Sequence, residues 1–314
     1  MYIQDIFVKY YDYRPFDSVF ANKLVGNFSK VGALLASVFL PIWFKLFPAS
    51  KCLERQKEGL IICMTSFPAR INYVWLVVEC LLRQTIQAED IILYLSSKQF
   101  PVKENLPVQL LRLESNHCLT IKMVEEDYRS HKKYWYALKD FPNKTIVTVD
   151  DDIIYVSNTI ELLVTFSCQH PMCVPGHFVS EVCYAEDSNH QVLPYSKWFG
   201  RVDKGAIGAN LFFGSGGGTL FPPGSLTGAN IPFEEISKIC PLADDIWLNA
   251  WIRKNGYVVG RASRYASVPE WIIWNNKKLC SINDGQQRND IQLTKTIDYF
   301  MSSFKLNPFA YCQN

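Results

Sequence analysis

Three consecutive carboxylates, Asp150, Asp151 and Asp152, stand at the end of an apolar run containing Ile146, Val147 and Val149, and Ile153-Ile154 follow at once. The run begins after Pro142-Asn143, and its β-forming residues predict a buried strand. Side chains alternate along an extended chain, so Asp150 and Asp152 are expected on one side and Asp151 on the other. Two carboxylates on one side repel each other unless a cation lies between them. Mg²⁺ or Mn²⁺ takes oxygen ligands of this kind and shares them with substrate phosphates. The apolar neighbours put the acids at the edge of a core, which favours a metal and phosphate site over a solvated acidic turn.

Other residues suited to chemistry lie on both sides of this stretch. Arg129, Lys132 and Lys133 precede it and are placed either to reach phosphates or to form a solvated basic helix face. Downstream, Asp244 and Asp245 open a helix beginning near Cys240-Pro-Leu-Ala. Acids are favoured there by the helix dipole, so capping alone accounts for one of them. They are separated by about 100° around the helix, and only one is expected to face a cleft. Gly214-Ser-Gly-Gly-Gly-Thr-Leu-Phe-Pro-Pro-Gly224 lacks the Lys-Ser/Thr of a phosphate-binding P-loop. Its glycines are expected to let backbone approach a ligand, or to form a hairpin with no ligand. Tyr195 and Trp198 lie in an aromatic loop over Leu193–Asp203.

Positioning these groups requires strands alternating with helices. Leu60–Met64, Asp90–Ser96 and Leu119–Val124 read as strands, and Ile71–Leu82, Ser130–Lys139 and Ser157–Ser167 as helices. Alternation with short links implies an α/β fold, a mostly parallel sheet covered by helices on both faces. Ligands of such sheets bind beyond the carboxyl ends of the strands. The loop Thr65-Ser-Phe-Pro-Ala-Arg70 and the Asp150–Asp152 acids both occupy such ends and are expected to meet.

In these features the chain resembles nucleotide-sugar-dependent glycosyltransferases of the GT-A fold, and more narrowly the family 2-type bacterial enzymes that build surface polysaccharides. Thr65–Arg70, Arg129-Ser-His-Lys-Lys-Tyr134, Asp150–Asp152, Gly216–Gly224 and Ala243-Asp-Asp-Ile-Trp247 carry the resemblance, across about residues 58–265. The resemblance implies a Rossmann-like GT-A sheet, a nucleoside-diphosphate sugar donor and a divalent ion, Mn²⁺ or Mg²⁺, on Asp150 and Asp152. It implies nucleotide contacts from Thr65, Arg70, Arg129, Lys132, Lys133, Asp150 and Asp151. Sugar and acceptor contacts fall to Tyr195, Trp198, Gly217, Gly218 and Asp244. In the family's acidic motif the second acid is the base, which favours Asp245 over Asp244 and implies inverting transfer to a glycan or lipid-linked acceptor. The late histidine that many such enzymes give to the metal has no counterpart, since no histidine follows His190. A nucleotidyltransferase is disfavoured because Thr65–Arg70 contains no glycine, and a non-catalytic glycan-binding protein because Asp150, Asp152 and Asp245 are all present.

Composition bounds the rest. With 314 residues, 48% hydrophobic, the chain can form one large core, and a net charge of +2 gives no electrostatic case for nucleic acid. Ten cysteines without a CxxC pair read as reduced thiols, and the first residues lack a signal peptide, so a cytoplasmic location is expected. Residues 1–56 differ from 57–314. Val31–Phe44 is uncharged, interrupted by Pro41 and flanked by Lys23, Lys30, Lys45 and Lys51. It is too short to span a bilayer and reads either as a segment lying on the inner face of the membrane or as a helix packed on the catalytic domain.

Overall fold

The computed structural model describes residues 2–11, 35–186, 191–198, 202–263 and 288–311. The amino-terminal half builds four parallel strands, β1 (Gln56–Thr65), β2 (Gln87–Ser96), β3 (Thr120–Val124) and β4 (Thr145–Val149), in spatial order β3-β2-β1-β4. Along β1, Leu60, Ile62 and Met64 enter one core cluster, whereas Ile61 and Cys63 enter another on the opposite face. That two-residue alternation, apolar on both sides, is what a strand buried between helical layers requires. Each fully buried aliphatic side chain here contributes roughly 1.5–3 kcal/mol.

The connecting helices supply the layers. After α1 (Ile3–Tyr11) and a helix at residues 35–46 (α2) come α3 (Val74–Leu82), α4 (Val108–Ser115), α5 (Lys132–Asp140) and α6 (Thr159–Gln169). Beyond β4 the sheet continues as β5 (Cys173–Gly176), with β6 (Val179–Glu181), β7 (Ile207–Gly208), β8 (Leu211–Phe213), β9 (Gly217–Phe221) and β10 (Val258–Arg261) following in sequence. The eight-stranded order is β3-β2-β1-β4-β9-β5-β10-β7, with β6 and β8 pairing separately. Strands β9 and β7 run against their neighbours, so the sheet is mostly parallel but mixed. Helices α7 (Phe233–Ile239), α8 (Asp244–Lys254) and α9 (Arg288–Phe304) pack with β8 and β10 around Trp247, Trp251 and Phe300.

The glycine-rich stretch departs from expectation. Instead of a ligand-facing loop or a free hairpin, Gly217 and Gly218 lie buried at the start of β9. A Cβ on Gly217 would run into the Phe178 ring, and Gly218 has φ +94° with His177 against it, a combination that favours glycine. Their small size serves the packing of protein side chains. This removes the assignment of Gly217 and Gly218 as sugar or acceptor contacts.

The amino-terminal segment packs on the domain by one side. Ala36, Leu40 and Phe44, spaced four apart along α2, enter the main core, and the helix continues through Pro41. The Asp5 carboxylate accepts the Ser157 N–H and hydroxyl, both at 2.7 Å. The other side of α2 is apolar as well: Leu35, Val38, Ile42 and Leu46 are each more than half exposed. Among the described residues no helix is long and apolar enough to cross a membrane. Residues 31–34 of the apolar run lie outside the described residues.

Candidate active site

Strand β4 ends at Val149 because Asp150 is bent away. Its N–H meets the Gly216 carbonyl at 3.0 Å and the Tyr155 hydroxyl at 2.9 Å, and a turn follows at Asp151 and Asp152. The simple alternation expected of an extended chain therefore fails. Arg70 Nη1 donates both to Asp151 Oδ1 at 2.9 Å and to Asp152 Oδ2 at 2.7 Å, while Asp150 Oδ1 pairs with Lys133 Nζ at 3.0 Å. The buried Ser66 hydroxyl completes the Asp151 shell, donating to Oδ2 at 2.5 Å. Gly216 leaves room for Asp150, since a Cβ there would collide with that carboxylate.

The second pair of acids arrives from α8. Asp244 and Asp245 form its first turn, and Ser215 holds both: its hydroxyl donates to Asp244 Oδ2 at 2.7 Å and its N–H to Asp245 Oδ1 at 2.7 Å. Ser215 is fixed in turn by the Thr148 hydroxyl, which donates to its carbonyl at 2.6 Å. Strand β9 thus carries the α8 acids to the edge where β1 and β4 end. Lys133, on α5 and only 3% exposed, joins the two groups. Its Nζ lies 3.0 Å from Asp150 Oδ1 and 3.1 Å from Asp244 Oδ2.

These contacts give the acids different charge states. Burial pushes Asp152 up to about 7, helped by the like charges of Asp150 and Asp151 and opposed by Arg70. Burial also raises Asp245 to about 7, with Asp244 adding to it and Lys133 working against it. Burial acts the same way on Asp244, but Lys133 and the Ser215 hydroxyl outweigh it and hold Asp244 below the usual carboxylate range. Lys133 is held charged: burial disfavours its cation, and Asp150, Asp244 and Asp245 together overcome that. Four of the five carboxylates pair with two protein cations, Arg70 and Lys133, and Asp245 is in no ion pair among the described residues, which leaves negative charge in excess.

Among the described residues no group of three or more His, Cys, Asp or Glu side chains is placed to hold a metal ion. Asp150 and Asp152 lie close enough for the charge of one to raise the other's carboxyl, and two carboxylates are the number a Mg²⁺-type ion uses when substrate phosphates complete its shell. The hard oxygen donors and the excess negative charge fit such an ion. Arg70 Nε is buried with no partner among the described residues, a donor at the same spot.

Several expected contributors stand elsewhere. The Thr65 hydroxyl donates to the Tyr94 carbonyl at 2.8 Å and belongs to the sheet; its neighbour Ser66 is the residue that reaches the Asp151 carboxylate. Lys132 is buried in an ion pair with Asp127, which takes its charge up away from the acids. Arg129 is exposed beside α7 and α9, outside the acid cluster. Trp198 is 1% exposed, stacked among Tyr195, Phe212 and Phe309 with its indole N–H donating to Leu193 O, so its face is closed to a sugar. Tyr195 is half-buried, its ring against Trp198 and Phe212. Asp244 is occupied by Lys133 and Ser215, which makes it a support for the site instead of a sugar contact.

His131, between Arg129 and the two lysines, is buried. Its Nε2–H donates to the Cys240 carbonyl at 2.7 Å and its Nδ1 accepts the Tyr134 hydroxyl at 2.8 Å. Burial lowers it to about 4, so it is a neutral strut that fixes the link leading to α8. Ser66 and Ser215 are the functional residues that sequence reasoning passed over. Both sit inside stretches already marked, and a hydroxyl there has little to distinguish it from loop serine.

No protein-family model matches the chain, and no curated protein matches it. Solved structures overlap it. With S. aureus TarS the identity is 13% and the TM-score 0.42, over 66% of this chain and 36% of that one. With residues 1–349 of TarS the values are 12% and 0.43, over 80% and 74%. With the mannosyltransferase PcManGT from Pyrobaculum calidifontis in complex with GDP-Man and Mn²⁺ they are 14% and 0.48, over 90% and 76%. The chain therefore spans about a third of the first TarS chain and about three quarters of the other two.

Proposed function

We propose that this chain is a GT-A-type glycosyltransferase that moves a sugar from a nucleoside-diphosphate sugar to a hydroxyl of a glycan or lipid-linked acceptor in surface polysaccharide synthesis, with inversion. The observation that carries the reading is the meeting, at one sheet edge, of the cation-paired Asp150–Asp152 turn with Asp245, a carboxylate in no ion pair among the described residues. One set of acids suits the leaving diphosphate and the other suits the attacking hydroxyl.

The division of labour follows from the contacts. Asp150 and Asp152 would hold a divalent ion, which when bound supplies positive charge against the departing diphosphate. Arg70 keeps Asp151 and Asp152 in place and offers its Nε to a phosphate oxygen. Ser215 fixes Asp245 Oδ1 and leaves Oδ2 for the acceptor. As the acceptor oxygen bonds to the anomeric carbon, its proton passes to Asp245 Oδ2. The bond from that carbon to the diphosphate breaks, and its electron pair leaves with the phosphate. A base whose pKa lies near 7 is well matched to this task.

The test of the metal assignment uses binding in place of turnover. Mn²⁺ with a nucleoside diphosphate at about 100 times its Kd should stabilise the wild type by roughly 2.7 kcal/mol, read as a rise in melting temperature. In Asp152→Asn that rise should vanish, while the melting temperature without ligand stays close to wild type because Arg70 keeps Asp151. An undiminished Mn²⁺-dependent rise in the variant would refute the role given to Asp152.

The same reading places residues 35–47 against a membrane surface, where a lipid-linked acceptor is found. The exposed face of α2 is a continuous apolar strip beside Lys45. Seating one such side chain in lipid is worth about 1.5–3 kcal/mol, about tenfold or more in affinity. Ile42→Glu should therefore lower co-sedimentation with anionic vesicles at least that much. A wild-type protein that stays in the supernatant with those vesicles would end the assignment.

A further inference from the structure

A groove of about 450 Å³ opens beside the α8 end of the site, and its charge is one-sided. Arg129, Lys238, Arg288 and Lys295 line it, and no carboxylate does among the described residues. Four like charges around one concavity repel each other unless an anion lies between them. Lysine and arginine together are the usual partners of phosphate, arginine through its planar fork and lysine as a compact charge. The volume falls within the range of small-ligand sites.

Two features tie this groove to the reaction centre. Gln292 Oε1, on its wall, accepts the N–H groups of Leu242 and Ala243 at 2.7 and 3.1 Å, so α9 holds the residues that lead directly into Asp244 and Asp245. Arg129 is held at φ +52°, a conformation uncommon for a residue with a side chain, with its N–H donating to Asp127 Oδ1 at 3.1 Å. Strained backbone of this kind persists where the surroundings impose it, and functional sites collect it. The donor phosphates are already served on the other side, by Arg70 and the Asp150–Asp152 turn.

We infer that the groove binds a phosphate group carried by the acceptor, which makes the acceptor anionic. The inference rests on the transferase reading for the word acceptor; the phosphate site itself stands or falls separately. A phosphate seated between α7 and α9 would bring the attached hydroxyl-bearing unit toward Asp245. It also assigns Arg129 to the acceptor side, where the sequence alone suggested the donor.

Lysine footprinting on the full-length protein tests this. Acylation of Lys238 and Lys295 is measured by mass spectrometry with glucose 1-phosphate, with glucose, with sodium chloride at matched ionic strength, and with phosphatidylcholine vesicles with or without a polyprenyl phosphate. Protection by glucose 1-phosphate but not by glucose or chloride points to a phosphate on a soluble glycan. Protection only by the polyprenyl phosphate vesicles points to a lipid carrier, and either result supports the site. Arg288→Gln, and independently Arg129→Gln, should raise the half-protecting concentration about tenfold, the worth of one charge-assisted hydrogen bond. Lys139→Glu, on the exposed side of α5, should not change it. Equal protection by chloride, no protection by any phosphate probe, or unchanged half-protection in both arginine variants would overturn the inference. Mn²⁺-dependent nucleotide binding is measured on the same samples: its loss in the wild type would remove the transferase reading without altering what the lysines report.

Discussion

Asp245→Asn is expected to lower turnover by about 10²-fold or more while donor binding is kept. Asparagine preserves the size of the side chain and the place for the Ser215 N–H, so the amide differs chiefly in its inability to take a proton. The competing view is that Asp245 only caps its helix, a role worth roughly 0.5–2 kcal/mol, which asparagine would fill equally well. Near-normal turnover in Asp245→Asn would therefore favour the cap. A product that retained the donor's configuration would also exclude this base, because inversion in a single displacement is what demands a carboxylate opposite the leaving group. The pH profile adds a second check. Burial and the neighbouring Asp244 hold Asp245 up at about 7, and only its ionised form accepts a proton, so kcat/KM should climb with pH through about 7. Stability runs the other way. A carboxyl whose folded pKa exceeds its unfolded value, about 3.9, stabilises the fold fully below that value and loses the contribution as pH rises through about 7. Wild type should accordingly lose stability relative to Asp245→Asn between those limits, and urea titrations at pH 4.5 and 8 would show it.

The parts of the fold that could be read from sequence are those set by local pattern. Strands β1, β2 and β4 are built on apolar runs buried on both faces, β3 is a half-buried edge strand, and Leu60–Met64, Asp90–Ser96 and Leu119–Val124 each fall within or nearly within the observed strands. Because parallel strands carry their loops to one edge, the meeting of Arg70 with Asp151 and Asp152 followed from topology alone. The glycine-rich stretch was opaque because the reason for its glycines lies far away in sequence. Gly216 yields space to Asp150 and Gly217 to Phe178, and no local rule anticipates either neighbour. The aromatic loop misled for a related reason: Trp198 has the same composition signal whether its face meets a sugar or, as here, Phe212 and Phe309. Lysines divide in the same way. Lys132 and Lys133 are adjacent in sequence, yet one is committed to Asp127 and the other to Asp150 and Asp244, a distinction created by long-range contacts.

Lys133→Met is expected to be the most destabilising substitution at the site, costing on the order of 3–5 kcal/mol, because it removes the cation from a buried ion pair and leaves the partner charge uncompensated. Methionine keeps the length and apolar stem of the lysine, so lost packing contributes little. Asp150 is 42% exposed on its side chain and can recover water, whereas Asp244 is 9% exposed and cannot, so the penalty falls mainly on Asp244. Without the ammonium group the burial of Asp244 is no longer outweighed, and its carboxyl should shift upward from its present lowered position. The sign of the pH dependence follows. In the wild type the lowered carboxyl contributes stability that is present above its unfolded pKa of about 3.9 and is lost as pH falls through its folded value. In the variant that contribution is absent, so the gap between the two proteins should be small in acid and widen as pH rises above about 4. Equilibrium unfolding of both proteins across that range measures it. A constant gap would mean that Lys133 acts through packing, and no gap at any pH would mean that it does not bridge Asp150 and Asp244 in solution. Activity should fall in parallel, since Lys133 is the cation that links Asp244, at the start of α8, to the Asp150 turn.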